Sequence, residues 1–272
     1  KITKIVLFLS KYLPLILMIK LTFLGTGTSQ GIPVIGSQHP VCQSNDSKDV
    51  RLRTSALLNW NKKNYVIDCG PDFRQQLLKN PIDYLDGILF THAHADHTSG
   101  LDDIRPFCFR QGPIEIHLTL DVLNNLKKRF GYILSDKNKY PGTPSVKVNL
   151  IEEAKAFKLG GKIVMPVKAA HYKSSVIGFK IDKLAYMTDV KSIDEKSKNK
   201  LMNLDVLVLN CLRLEPHPSH LNLEEALNLI NEIKPKNTYF THISHLLGFH
   251  HEISKSLPDN VFLAYDNLSI TC

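Results

Sequence analysis

Residues 92–97 read His-Ala-His-Ala-Asp-His, directly after the apolar run Gly87-Ile88-Leu89-Phe90 and one threonine. Four side chains of metal-ligand type within six residues need a rigid frame to aim them at one place. A short apolar run ending in such a loop reads as a buried strand with the group at its end. Imidazole and carboxylate donors suit zinc, manganese or iron, and a group this dense can serve two ions. A loop needed only for helix capping would use Ser or Asn, which do that work better. The chain is therefore expected to present this group at the end of a buried strand.

The remaining runs fit that frame. Ile19–Leu24, Thr54–Trp60, Tyr65–Asp68, Val146–Leu150, Lys162–Val167, Val176–Ile181, Leu184–Met187, Val206–Leu209 and Thr238–Phe240 have the composition of strands. Asp72–Lys79, Asp121–Arg129 and Leu223–Ile233 read as helices, the last with apolar residues at 223, 226, 227 and 230. This mixed order predicts an α/β protein in which helices cover the outer faces of paired sheets. No Pro/Ser/Gly linker or charge block interrupts residues 18–272, which read as one domain. A chain of 272 residues can bury a generous core, and 43% hydrophobic with 22% charged residues excludes disordered and fibrous classes.

Five cysteines at irregular spacing make no disulfide framework, so a reducing compartment, the cytoplasm, is expected. The net charge of +8 includes Lys1, Lys4, Lys11 and Lys20 in an opening segment without acids, which leaves +4 for the remainder. That is too mild to argue for nucleic-acid binding. The opening segment, KITKIVLFLSKYLPLILMIK, has its apolar runs broken by Lys11 and Pro14. It lacks the unbroken apolar core of a signal peptide and the length of a membrane span. Residues 1–17 are therefore expected to be an upstream extension, with the native start at Met18.

Two stretches echo each other. Gly87-Ile-Leu-Phe-Thr-His92-Ala-His94 and Asn237-Thr-Tyr-Phe-Thr-His242-Ile-Ser-His245 each give a strand, then Phe-Thr-His, then another histidine. The echo suggests two halves that point at one site.

Thr-His-x-His-x-Asp-His after a strand resembles the signature of the metallo-β-lactamase superfamily. The resemblance runs from Leu21 to about Asp266 and implies an αβ/βα four-layer sandwich, two mixed β-sheets with helices on both outer faces. It also implies two divalent metal ions, Zn or Mn or Fe. Carried over residue by residue, His92, His94 and His171 would hold one ion, and Asp96, His97 and His242 the other. Asp189 in Tyr186-Met-Thr-Asp189 would bridge them, and Asp68 would support the metal histidines from behind. True β-lactamases of the superfamily have cysteine where this chain has Asp189 and lack the histidine at His97. The set here resembles the phosphodiesterase, ribonuclease Z and thioester-hydrolase branches. The implied activity is hydrolysis of a small or cyclic phosphodiester by hydroxide held between the metals.

Further positions select among the branches. His220, in Pro216-His217-Pro-Ser-His220, matches a histidine that protonates the leaving oxygen, a role suited to an imidazole. With Asp96 it makes up the expected catalytic pair, and His217 fits the position less well. Leu24-Gly-Thr-Gly-Thr-Ser-Gln-Gly-Ile-Pro33 together with Thr241-His242-Ile-Ser-His245 resembles the PhnP-like phosphodiesterases. That group carries a further, structural zinc on three cysteines and a histidine. The matching residues are Ser37, His39, Cys42 and His245, so a third zinc would have at most His39, Cys42 and His245. Leu101–Pro144 contains no extended basic, glycine-rich arm of the kind that holds transfer RNA in ribonuclease Z. Arg105 and Arg110 could meet a substrate phosphate or serve as salt-bridge residues. The expected partner is a small phosphodiester, with a homodimer as the oligomeric form, no membrane, and nucleic acid not favoured. The alternatives are a ribonuclease Z-like RNA-processing endonuclease and a catalytically idle binding member of the fold.

Overall fold

Strands that are apolar at every position need cover on both faces. In the computed structural model, which describes residues 18–134 and 139–272, two seven-stranded sheets among the described residues provide it. The first runs β1 (Lys20–Gly25), β2 (Ser55–Trp60), β3 (Lys63–Ile67), β4 (Gly87–Leu89), β5 (Ile114–Leu118) and β6 (Val146–Leu150). The second runs β7 (Phe157–Leu159), β8 (Lys162–His171), β9 (Ser174–Ile181), β10 (Leu184–Met187), β11 (Val206–Asn210), β12 (Asn237–Thr241) and β13 (Val261–Leu263). The last strand, β14 (Ser269–Thr271), returns to pair with β1. Both sheets are mixed: β1–β3 and β7–β10 pair antiparallel, β3–β6 and β10–β13 parallel.

Alternation along each strand sorts side chains between layers. From β2, Ala56, Leu58 and Trp60 enter the core between the sheets, and Leu57 faces the helices. From β10, Leu184 and Tyr186 point inward while Ala185 and Met187 point out. The outer face of the first sheet is covered by α1 (Phe73–Lys79), α3 (Arg105–Gln111), α4 (Leu120–Arg129) and α5 (Gly131–Leu134). The one-turn α2 (Ala95–Thr98) lies in the histidine loop. On the second sheet lie α6 (Glu195–Lys200), α7 (Leu223–Ile233) and α8 (His250–Ser256). This is the four-layer sandwich expected from the sequence.

Three differences have physical causes. Strand β8 does not stop at Val167 but continues to His171, paired with β9 up to His171↔Ser174. Pro166 is tolerated because β7 pairs only with Lys162–Val164, which leaves one side of Pro166 without a ladder. β5 was hidden by Glu115 and His117 alternating with its apolar residues, and β7, β13 and β14 are too short to show a period. The two echoing strands are not equivalent by place: β4 is third from the β6 edge, β12 second from the β13 edge. What they share is that both end at the rim where parallel strands terminate, the usual ligand edge of such sheets. The expectation for residues 1–17 lies outside the described residues. Among these, no helix is long and apolar enough to cross a membrane.

Candidate metal centre

Five strand ends supply the rim. Asp68 follows β3, His92 follows β4 after Phe90 and Thr91, His171 closes β8, Asp189 follows β10 after Thr188, and His242 follows β12. Asp68, Asp189 and His242 adopt left-handed backbone, with φ of 59°, 60° and 55°. Asp and His tolerate this region better than most residues, and such conformations gather at functional sites. The loop carrying His92 to Gly100 is held against the turn after β3: Cys69 N–H donates to His97 O (2.9 Å) and Gly100 N–H to Cys69 O (2.8 Å). A Cβ at Gly70 would lie 2.0 Å from the Asp96 carbonyl oxygen, so only glycine allows this approach.

All seven side chains expected as ligands meet here. Donor atoms of His92, His94 and His171 lie within 4.8 Å of one another, as do those of Asp96, His97 and His242. Asp189 sits between the two groups. Its Oδ2 is 3.2 Å from His97 Nε2, and its Oδ1 is 3.2 Å from His242 Nε2 and 4.0 Å from His92 Nε2. Asp96 Oδ2 is 3.2 Å from His97 Nε2 and 3.7 Å from His242 Nε2. Despite these short separations, Nε2 of His92, His97 and His242 are buried and make no hydrogen bond. Buried polar atoms are almost always paired, so nitrogens that converge without pairing fit a cation between them. Three buried or half-buried carboxylates add the negative charge such ions need.

The surrounding groups orient these rings. Asp68, expected behind the histidines, accepts from Thr91 N–H (2.8 Å) and Thr91 Oγ1 (2.7 Å), and its Oδ2 contacts His97 Nδ1 at 2.7 Å. Ser219 O lies 2.8 Å from His171 Nδ1, and Thr91 Oγ1 lies 3.0 Å from His92 Nδ1. Burial opposes charge on His97, but Asp189, Asp96 and Asp68 outweigh it and hold that imidazole well above its ordinary pKa. Burial likewise opposes charge on Asp189, yet His242, His97 and His220 hold it well below the usual carboxylate range.

His220 Nε2 lies 3.0 Å from Asp189 Oδ1, so the histidine expected to act as a proton donor reaches the cluster. Burial brings its pKa down to about 4, against the pull of Asp189. Sequence reasoning set His217 aside, yet its Nδ1 is 3.2 Å from His220 Nδ1. Ser219 N–H donates to His217 Nδ1 (3.3 Å), and Ser219 Oγ lies 3.0 Å from His220 Nδ1. The dense Pro-His-Pro-Ser-His spacing was the available signal. Thr91 and the Ser219 carbonyl offered none, because a backbone carbonyl or single hydroxyl carries no motif.

The remaining expectations resolve differently. Arg105 is held by Asp102 (2.7 Å) and reaches Tyr140, while Arg110 lies over the Phe107 ring, so both have local partners. His39 and His245 meet edge-on with ring centroids 4.9 Å apart, and His245 Nδ1 is buried and unpaired. Cys42 is buried nearby in chain order, its Sγ accepting from Val34 N–H at 3.5 Å. Among the described residues, these three are not in any group whose donor atoms lie within 4.8 Å.

Beside the cluster opens a cleft of about 350 Å³, whose lining includes His92, His94, Thr119, Asp121, Asn125 and Ser174. A larger groove of about 530 Å³ between α1 and α3 contains none of the cluster residues.

Residues 63–243 match the β-lactamase superfamily domain. The chain belongs to the metallo-β-lactamase superfamily. Within it, a solved diphosphatase of the PhnP family is 37% identical, with a TM-score of 0.88 over 94% of this chain and 98% of that one. This superfamily member therefore belongs to the PhnP family. An octanoyltransferase of Porphyromonas gingivalis is 37% identical over 247 residues, 90% of this chain. The chain spans half the length of that protein. A ribonuclease Z of Bradyrhizobium diazoefficiens is 36% identical over 86 residues, 31% of this chain and 23% of that one.

Proposed function

We propose that this PhnP-family chain is a metal-dependent phosphodiesterase acting on a small or cyclic phosphodiester. The observation that carries the reading is Asp189, one buried carboxylate within 4.0 Å of four imidazoles that come from three separate segments. His92, His94 and His171 would hold one divalent cation and Asp96, His97 and His242 a second, with Asp189 shared. Histidine and carboxylate donors accept zinc, manganese or iron. When bound, such a pair brings the pKa of water toward neutrality and offsets charge on a phosphoryl group.

The chain's own residues do the rest. Asp68 fixes the His97 ring, and the Ser219 carbonyl fixes that of His171. His220 holds a proton at Nε2 for the leaving oxygen. Burial disfavours that proton, and an arriving phosphodiester brings negative charge that favours it. His217 and Ser219 keep the His220 ring facing the cluster. The cleft would receive the organic part of the substrate. Its lining offers hydroxyls, an amide and carboxylates but no Lys or Arg, which suits a neutral hydroxylated group better than a second phosphate.

The likeness to a PhnP-family diphosphatase supports chemistry on phosphate esters, and the modest cleft supports a small substrate over RNA. Octanoyl transfer, the name of the Porphyromonas relative, finds less support. Acyl transfer commonly uses an activated Cys or Lys, and the cleft is lined by neither. Cys69 beside Asp68 is buried, which pushes its thiol pKa well up.

The test is a hydrolase screen of metal-reconstituted protein. Cleavage of bis(p-nitrophenyl) phosphate and 2′,3′-cyclic nucleotides, with no cleavage of a precursor tRNA, is expected. Turnover of the tRNA alone would select the RNA-processing reading, and turnover of nothing the idle one. His220→Ala should lower kcat by about 10²–10⁴-fold with metal content unchanged. Loss of metal in that variant would instead make His220 a ligand.

A further inference from the structure

Three imidazoles of the cluster have their second ring nitrogen tied: His92 to Thr91 Oγ1 (3.0 Å), His97 to Asp68 Oδ2 (2.7 Å) and His171 to Ser219 O (2.8 Å). Metal-binding histidines are ordinarily oriented by such partners. The His94 ring touches His92 and His171 but makes no hydrogen bond among the described residues. It is also an exposed member of the group, so packing does not hold it. Its placement must come through its backbone.

The backbone is gripped from outside the loop. Arg129, at the end of α4, lies 36 residues from Ala93 in sequence, yet its Nη2 donates to Ala93 O at 2.6 Å. The same nitrogen donates to Thr98 Oγ1 at 2.9 Å. The Thr98 hydroxyl, fully buried, donates in turn to His94 O at 2.7 Å. One guanidinium nitrogen thus fixes two successive carbonyls, that of Ala93 directly and that of His94 through Thr98. The same helix carries Asp121 in its first turn and Asn125 at its middle, both in the cleft lining, so one helix relates the cleft to the loop.

We infer that Arg129 is a positioning residue for His94, acting through Ala93 and Thr98 to set the affinity for the cation His94 would hold. The inference rests on the reading of the cluster as a metal centre. Its test is therefore metal binding rather than turnover: zinc titrated into metal-free protein against a chromophoric chelator. Wild-type protein that takes up fewer than two ions would remove the metal centre itself, whatever Arg129 does. With two ions bound, Arg129→Ala should weaken one of them about 10-fold or more, with the melting temperature of the metal-free protein unchanged. Arg129→Lys should keep most of that affinity, because a single nitrogen serves both acceptors. Thr98→Val removes the relay and leaves the guanidinium, and should weaken the same ion. Wild-type affinity in both Arg129→Ala and Thr98→Val overturns the proposal. So does a metal-free melting temperature that falls in step with the affinity, since Arg129 would then be holding the fold and not the ligand.

Discussion

Asp68 is fully buried and its oxygens take Thr91 N–H, Thr91 Oγ1 and His97 Nδ1. Burial pushes its pKa up, and the same three bonds pull it back without cancelling the rise. Its contribution is direction, since it decides which nitrogen of His97 faces the cluster. A second buried knot does quite different work. Arg51 donates to Thr26 Oγ1 (2.8 Å) and Ala264 O (2.5 Å), and its Nη2 lies 3.1 Å from His250 Nδ1. Burial and the Arg51 charge bring the His250 pKa from 6.5 down to about 4. Below pH 6.5 the unfolded chain therefore takes up a proton that the folded chain refuses, and this group's contribution to stability falls as pH drops toward 4. Denaturation of wild type and His250→Asn at pH 7 and pH 4.5 should show a smaller loss on acidification in the variant. Equal losses would mean that His250 titrates normally. Asp68 was legible in sequence because its place before Cys69-Gly70 belongs to a motif. His250 was not, because its partner Arg51 is 199 residues away.

At the scale of elements, the histidine loop depends on glycines as much as on its ligands. Gly70 faces the Asp96 carbonyl, and a Cβ at Gly100 would lie 2.2 Å from Gly70 O. Gly70→Ala should force the loop outward and cost about 1–3 kcal/mol, in line with other overpacked interiors. The measurement is a thermal melt beside Gly131→Ala, whose added Cβ would meet nothing within 4 Å. A Gly70→Ala melt indistinguishable from the control would show that the loop yields freely. The extension of β8 to His171 belongs here too. The strand read from the sequence passes Pro166 and ends at Val167, because Lys168-Ala169-Ala170 has no β-branched or aromatic residue to mark its continuation.

At the scale of the molecule, the cluster joins the two sheets. His92, His94, Asp96 and His97 come from the first, and His171, Asp189 and His242 from the second. A ligand bound by both adds stability by mass action, about 2.7 kcal/mol at a hundredfold excess over Kd. Chelation should therefore lower the melting temperature and added zinc should restore it, as followed by circular dichroism. A melting curve indifferent to both would disconnect the cluster from metal. The pairing of sheets also explains the echo between Phe-Thr-His stretches: two strands at unlike places in their sheets can end at the same rim.

Read alone, the sequence determined the layer architecture and the chemistry of the rim, because both are written locally. Strand runs show in their apolar content, and the residues at strand ends show as His and Asp in short motifs. The tertiary structure decided how those residues are supported beyond that: the Ser219 carbonyl against His171, and Arg129 behind His94 by way of Ala93 and Thr98. These contacts join segments tens of residues apart through single hydroxyls, carbonyls and guanidinium nitrogens. Such groups have no periodicity or spacing of their own and acquire a role only when the sheets bring them within hydrogen-bond reach.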